Sequence, residues 1–246
     1  MTSTPDGDPR RTVLLDLDGT LVDSAALITE HLAAAIAEAG GPSYPPPKLR
    51  ALVGPPFEQA LPRLGLTDDQ VAAAITAYRA SYDRVAATHT PMYPGIAQLL
   101  DRLTHVRWIT AAAKQGGDPP VERPSGYRLA VATSKPEHLA GRIVAALGIA
   151  GHFALVGGAD HVEGRVGKGA VIGSVLDRLE LDPKRDPVVM VGDRHHDVDG
   201  AAEHGIPTIG VGWGYAGPDE LVGADRVVDD PTELVDALEA ARWSAQ

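Results

Sequence analysis

The chain has 246 residues, 44% of them hydrophobic and only 4% aromatic, enough for a large aliphatic core in one large domain or two small ones. Its net charge of −11 argues against a protein that coats nucleic acid or a membrane surface, yet permits a small anionic substrate where a metal ion and a lysine reverse the sign locally. The absence of cysteine excludes disulfides, thiol catalysis and cysteine-ligated zinc.

Residues 1–11 are polar, lack the apolar run of a secretion signal, and read as a disordered tail. No apolar run reaches 18 residues, so no membrane span is expected and the cytoplasm is the expected compartment.

The chain is organised around residues 13–24, VLLDLDGTLVDS. Val13, Leu14, Leu15 and Leu17 form an apolar run of strand length that ends in two carboxylates, Asp16 and Asp18. Acids at the carboxyl end of a parallel strand stand where open α/β sheets place their chemistry. Gly19 allows a sharp turn and close approach to a ligand, and Thr20 can cap that turn. An Asp-Gly hairpin would need a second alternating strand. Asp23-Ser24 opens a helical pattern instead, with Leu27, Ile28, Leu32, Ala35, Ile36 and Ala39 on one face and Gly40-Gly41 at its end.

A stiff PSYPPP linker comes next at 42–47, and residues 48–87 read as all-helical. Leu49, Leu52 and Val53 form a short helix broken at Gly54-Pro55-Pro56, and Phe57, Ala60, Leu61 and Leu64 form another. Thr67 to Gln70 is a capping box that opens a helix carrying Val71, Ala74, Ile75, Tyr78, Tyr82 and Val85. From residue 95 onwards helices alternate with strands, at 127–133, 153–156, 187–191, 206–211 and 226–228. That alternation predicts a parallel sheet covered on both faces. Residues 104–124 have no clean periodicity and read as an insertion, either a plain surface loop or a lid.

If Asp16 and Asp18 mark a site, neighbouring strands should end in polar groups too. The strand at 127–133 ends in Thr133-Ser134-Lys135, and the strand at 187–191 runs into Gly192-Asp193 with Asp197 four residues on. Lys168 stands at the start of its helix. Taken singly, a strand-end Thr is a helix cap, a lone Lys is solvated, and an acid after a strand is an N-cap. The ordered set is far harder to obtain by chance.

DLDGT at 16–20, the pair Thr133-Ser134, Lys168 and GDRHHD at 192–197 together resemble the four motifs of the haloacid dehalogenase superfamily. The resemblance covers about residues 12–240. The helical block resembles the C1 cap of the phosphoglycolate-phosphatase-like group. LVGPP, YPGI, ATSKP, VGDRHHDVDGA and IGVGWGYA are most similar to the bacterial phosphoglycolate phosphatase and 5′-nucleotidase-like branch. The resemblance implies a Rossmann-like α/β core from 12–22 and 91–246, with an all-helical C1 cap at 23–90 and hinges near 21–24 and 88–94.

It also implies a Mg²⁺-dependent phosphomonoester hydrolase acting on a small phosphorylated metabolite. Asp16 would be the nucleophile and Asp18 the general acid and base. Thr133 and the Ser134 N–H would hold phosphoryl oxygens, and Lys168 would neutralise their charge. Asp16, the Asp18 backbone carbonyl and Asp193 would ligate Mg²⁺, with Asp197 acting through water or holding the shell. A dehalogenase needs no acid for a leaving alkoxide, so Asp18 favours phosphate chemistry. Specificity is expected from the cap, with Gly54, Pro55, Pro56 and Phe57 either presenting a rigid loop to the site or forming an ordinary helix–helix turn.

A sugar phosphomutase and a non-catalytic binding protein on the same fold are the alternatives. Three features depart from the family pattern: Gly169 in place of a common Pro, the 104–124 insertion, and His195-His196, expected to face solvent from a loop with their rings apart.

Overall fold

The computed structural model describes residues 10–54, 56–105, 126–217 and 219–245. Most of the expected tail, nearly all of the 104–124 insertion, and Pro55 lie outside the described residues.

Six parallel strands form one sheet in the order β3-β2-β1-β4-β5-β6. They are β1 (Thr12–Leu15), β2 (Arg128–Pro136), β3 (Phe153–Ala159), β4 (Val188–Gly192), β5 (Thr208–Val211) and β6 (Arg226–Val228). The central strands are apolar throughout because both faces are covered, and alternate residues serve opposite faces. Val13, Leu15, Val131 and Val191 join one core with helices α5 (Ile96–His105), α6 (Glu137–Ala146) and α9 (Glu233–Glu239). Leu14, Ala130, Ala132 and Met190 meet α7 (Lys168–Arg178) and α8 (His195–Ala202) on the other face. α7 and α8 approach closely at Gly200, where a Cβ would fall 2.8 Å from the Gly169 nitrogen. At Gly169 itself a Cβ would fall 1.9 Å from Glu203 Oε2, so a side chain there would require Glu203 to move.

β1 pairs with β2 on one side and β4 on the other. The chain therefore reverses its direction of growth across the sheet at β1, and Asp16 lies just beyond that switch point. The regular strand stops at Leu15, short of Leu17 at the end of the apolar run. Asp16 still donates its N–H to the Val191 carbonyl, after which Leu21 and Val22 turn back onto the Leu17 carbonyl.

The block between β1 and α5 is helical: α1 (Ala25–Glu38), α2 (Pro46–Arg50), α3 (Phe57–Ala60) with a 3₁₀ turn at Leu61–Leu64, and α4 (Asp68–His89). α1 and α4 bury facing stripes, Ile28, Leu32 and Ile36 against Val71, Ala74 and Ile75. The capping box that opens α4 is reciprocal. Thr67 Oγ1 accepts from the Gln70 N–H, and Gln70 Oε1 accepts from the Thr67 N–H. α2 begins at Pro46, inside the stretch read as a linker, because proline is tolerated in a helix's first turn. The two connections to the core pair with each other: Val22 bridges Met92, Asp23 N–H donates to Pro91, and Tyr93 N–H donates to Leu21.

Two boundaries near the sheet's carboxyl edge differ from expectation. β2 runs on through Thr133-Ser134-Lys135 to Pro136, with a register shift against β3 between Thr133 and Pro136. α8 starts at His195, where a loop was expected, because the Asp197 carboxylate reaches back to the Arg194 N–H at 3.0 Å and closes the first turn.

Candidate active site

The carboxyl ends of β1, β2 and β4 and the first residue of α7 converge beneath the helical block. Between them lies a cavity of about 810 Å³ lined by Asp16, Asp18, Thr133, Ser134, Lys168 and Asp197. Lys168 is buried and holds three oxygens: Asp16 Oδ1 at 2.8 Å, Asp197 Oδ1 at 2.7 Å and the Ala132 carbonyl at 2.9 Å. Burial alone would push its pKa down, but the two carboxylates hold it above the ordinary lysine range.

Asp16, Asp193 and Asp197 are all buried, and their carboxylate oxygens lie within 4.8 Å of one another. Burial and the charges of Asp197 and Asp16 push the Asp193 carboxyl well up, and burial pushes Asp197 up against the pull of Lys168. Three crowded carboxylates with one ammonium are short of positive charge. This hard-oxygen set fits a divalent cation such as Mg²⁺. Asp193 is held from three sides: Tyr215 N–H donates to Oδ2 at 2.7 Å, Thr20 Oγ1 donates to Oδ1 at 3.3 Å, and Gly19 lies against it. Gly19 has φ +85°, and a Cβ there would fall 2.2 Å from Asp193 Oδ2. Only glycine meets both conditions.

Asp18 points away from that cluster. Its Oδ2 pairs with Lys135 Nζ at 2.9 Å, and Oδ1 accepts from Ser24 Oγ at 2.5 Å. Thr133 is buried and its hydroxyl accepts the Lys135 N–H at 3.3 Å, while Ser134 is half-buried on the cavity wall. Gly54, Pro56 and Phe57 line the cavity from the helical side.

His195 and His196 do not sit on a loop with their rings apart. They occupy the first turn of α8 with ring centroids 3.8 Å apart, and His196 lines the cavity. Burial, then the neighbouring His195 and Arg194, lower the His196 pKa to about 4.

Four site residues, Lys135, Tyr82, Arg194 and Tyr215, escape a reading of the motifs. Lys135 joins Asp18 to the helical block: Nζ donates to the Tyr82 hydroxyl at 3.1 Å, and burial is outweighed by Asp18 and Tyr82 in raising its pKa. The Lys135 ammonium also lies 4.9 Å from the Tyr82 ring centroid. Arg194 grips the Glu220 carboxylate with Nε at 2.5 Å and Nη2 at 3.1 Å, and donates Nη1 to the Val53 carbonyl. The Tyr215 hydroxyl accepts the N–H groups of Ser24 at 2.7 Å and Ala25 at 3.1 Å, where α1 begins. Ser24 cannot cap that helix itself, because its hydroxyl serves Asp18. For Lys135 the one sequence signal is its place directly after Thr133-Ser134.

A family model described as haloacid dehalogenase-like hydrolase matches residues 10–205. Tyrosine-protein kinase PtkA of Mycobacterium tuberculosis is 37% identical over 96% of this chain and 73% of its own length. A 5′-nucleotidase of Pseudomonas aeruginosa is 30% identical, covering 85% of this chain and 86% of that protein. A phosphoglycolate phosphatase of Chromobacterium violaceum is 30% identical, covering 93% and 96%. Among solved structures, a predicted phosphatase from Clostridium acetobutylicum superposes with a TM-score of 0.78 at 27% identity, covering 95% of this chain and all of that one.

Proposed function

The chain belongs to the haloacid dehalogenase-like hydrolases, and from that premise we propose that this phosphatase is a Mg²⁺-dependent phosphomonoester hydrolase working through an aspartyl-phosphate on Asp16. Its substrate is a small phosphorylated metabolite, with 2-phosphoglycolate and 5′-nucleotides as the first candidates after the names of two relatives. The observation that carries the reading is the Asp16–Lys168–Asp197 bridge at the floor of the cavity, with Asp193 alongside.

Lys168 orients the Asp16 carboxylate and places a positive charge where phosphoryl oxygens gather. The Thr133 hydroxyl and the Ser134 N–H stand on the cavity wall to receive those oxygens. Asp16 attacks phosphorus, the bond to the leaving oxygen breaks, and Asp18 gives that oxygen a proton. Asp18 then takes a proton from the water that attacks phosphorus and frees Asp16. A divalent cation on Asp16, Asp193 and the Asp18 backbone carbonyl, with Asp197 behind it, would offset the repulsion between an anionic substrate and these acids. The helical cap closes the site to bulk water.

The test is phosphate release with Mg²⁺ from 2-phosphoglycolate, 5′-nucleotides and sugar phosphates, beside an Asp16→Asn control. Multiple turnover without a bisphosphate activator, lost in the control, is expected. Turnover only with a bisphosphate would make the protein a mutase, and no release at all would leave a binding protein. Transfer from a nucleotide to a tyrosine-containing peptide, measured in parallel, reads the activity for which the mycobacterial relative is named.

A further inference from the structure

The cavity extends from the acids and lysines of the floor to the α3 and α4 side chains of the helical block, and its volume of about 810 Å³ is far more than a two-carbon chain fills. Its charges fall into matched sets. Lys168 is committed to Asp16 and Asp197, Lys135 to Asp18, and Arg194 to Glu220. At the outer wall Arg79 Nη2 lies 2.7 Å from Glu58 Oε1. Glu137 Oε2 accepts from Arg178 at 2.7 Å and Arg165 at 3.2 Å, and Arg165 lies 3.9 Å from Asp160. The lysines and arginines that line the chamber among the described residues therefore each have a carboxylate partner.

Asp83 is the exception among the acids. It lies half-buried on α4 and lines the chamber, yet no cation comes within ion-pair distance of its carboxylate among the described residues. Arg142, exposed on α6, gives its guanidinium to the Asp83 backbone carbonyl at 3.0 Å instead. On the same wall, just over one turn earlier on α4, Tyr78 packs edge-on against Phe57 at 4.8 Å between ring centroids. Burial raises the Tyr78 hydroxyl pKa, and Tyr82, Asp18 and, least of the three, Asp83 add to it. An unpaired carboxylate next to aromatic rings suits a ring or a cation and repels an anion.

We propose that this chamber accepts phosphomonoesters whose leaving group is uncharged or cationic, and that Asp83 is the specificity-determining residue that turns anionic leaving groups away. The proposal rests on the phosphatase reading above. It separates the two first candidates: a nucleoside leaving group carries no charge, whereas glycolate brings a carboxylate into a chamber that offers it no unpaired lysine or arginine among the described residues.

The experiment uses three phenyl phosphates of similar size, para-substituted with aminomethyl, hydroxymethyl or carboxylate, with the full chain and Mg²⁺. The expected kcat/KM is at least as high for the aminomethyl ester as for the hydroxymethyl ester. The carboxylate ester should fall below both by about tenfold, the size of one like-charge contact in a partly solvated site. In Asp83→Asn that gap should narrow to within about threefold. A carboxylate ester hydrolysed as well as the others, or a gap untouched by Asp83→Asn, overturns the proposal. If none of the esters is hydrolysed, the metabolite panel above decides the phosphatase reading, and calorimetric binding of the same three esters decides this one. Weaker binding of the carboxylate ester sustains it, and equal binding overturns it.

Discussion

The floor and the roof of the cavity are made of the same residue types under opposite conditions. On the floor, Asp16, Asp193, Asp197 and Lys168 are buried, and their geometry is set by strand ends and backbone N–H groups of the core. On the roof, Asp83 is half-buried on a cap helix, and Arg79 and Glu58 pair with about half of each side chain in water. Coulomb interactions on the floor are strong and the cost of breaking them is large, while on the roof solvent weakens both. The difference supports the proposed division, with chemistry on the floor, which cannot rearrange cheaply, and selection among substrates on the roof, which can.

Substitutions should reveal that division, beginning with the deepest. Asp16→Asn removes the proposed nucleophile, and phosphate release should drop by about a thousandfold or more in initial-rate assays, with the urea midpoint unchanged or raised. Lys168→Met leaves Asp16 and Asp197 buried without their cation. It should cost about 3–5 kcal/mol in urea denaturation as well as activity. A roof substitution of the same charge magnitude, Asp83→Asn, should stay within about 0.5 kcal/mol. Equal losses at the two positions would erase the distinction between floor and roof.

Metal loading separates floor from roof in a second way. Mg²⁺ at a hundredfold over its Kd should stabilise the protein by about 2.7 kcal/mol through linkage, and chelation should abolish turnover. Asp193→Asn should remove the stabilisation, whereas Phe57→Ala on the roof should leave it intact. Phe57→Ala should raise KM several-fold with kcat nearly unchanged, because a ring on the cavity wall away from the floor would contact substrate and transition state alike. A modest effect is expected at the junction. Tyr215→Phe withdraws the hydroxyl that accepts from Ser24 and Ala25, costing about 1 kcal/mol in stability and speeding limited proteolysis near residues 22–24.

The floor was legible in the sequence because each of its residues lies at a strand end or helix start that hydrophobic patterning locates. Asp16 and Asp18 close an apolar run, Lys168 precedes an apolar helical stripe, and Asp193 comes after PVVMV. The reciprocal capping box at Thr67 was legible for a similar reason, since both partners lie within one turn. The junction was not. Lys135 meets Tyr82 across 53 positions of chain, Tyr215 meets Ser24 across 191, and Arg194 reaches Val53 across 141. No local pattern encodes such meetings. The adjacent histidines misled because the Asp197 carboxylate starts α8 early, and a helical first turn brings the two rings together. β2 outran its apolar run because Thr133, Ser134 and Lys135 face the site while their backbone stays in extended form.

Every role assigned to the floor depends on Asp16 carrying the phosphoryl group. Reacting the protein with substrate and Mg²⁺, quenching in acid, reducing the acyl phosphate with borohydride and mapping the peptides by mass spectrometry reads that directly. Homoserine at position 16 is the expected product. Phosphate release with no reduced residue there, or with the reduced residue at another carboxylate, would overturn the assignment.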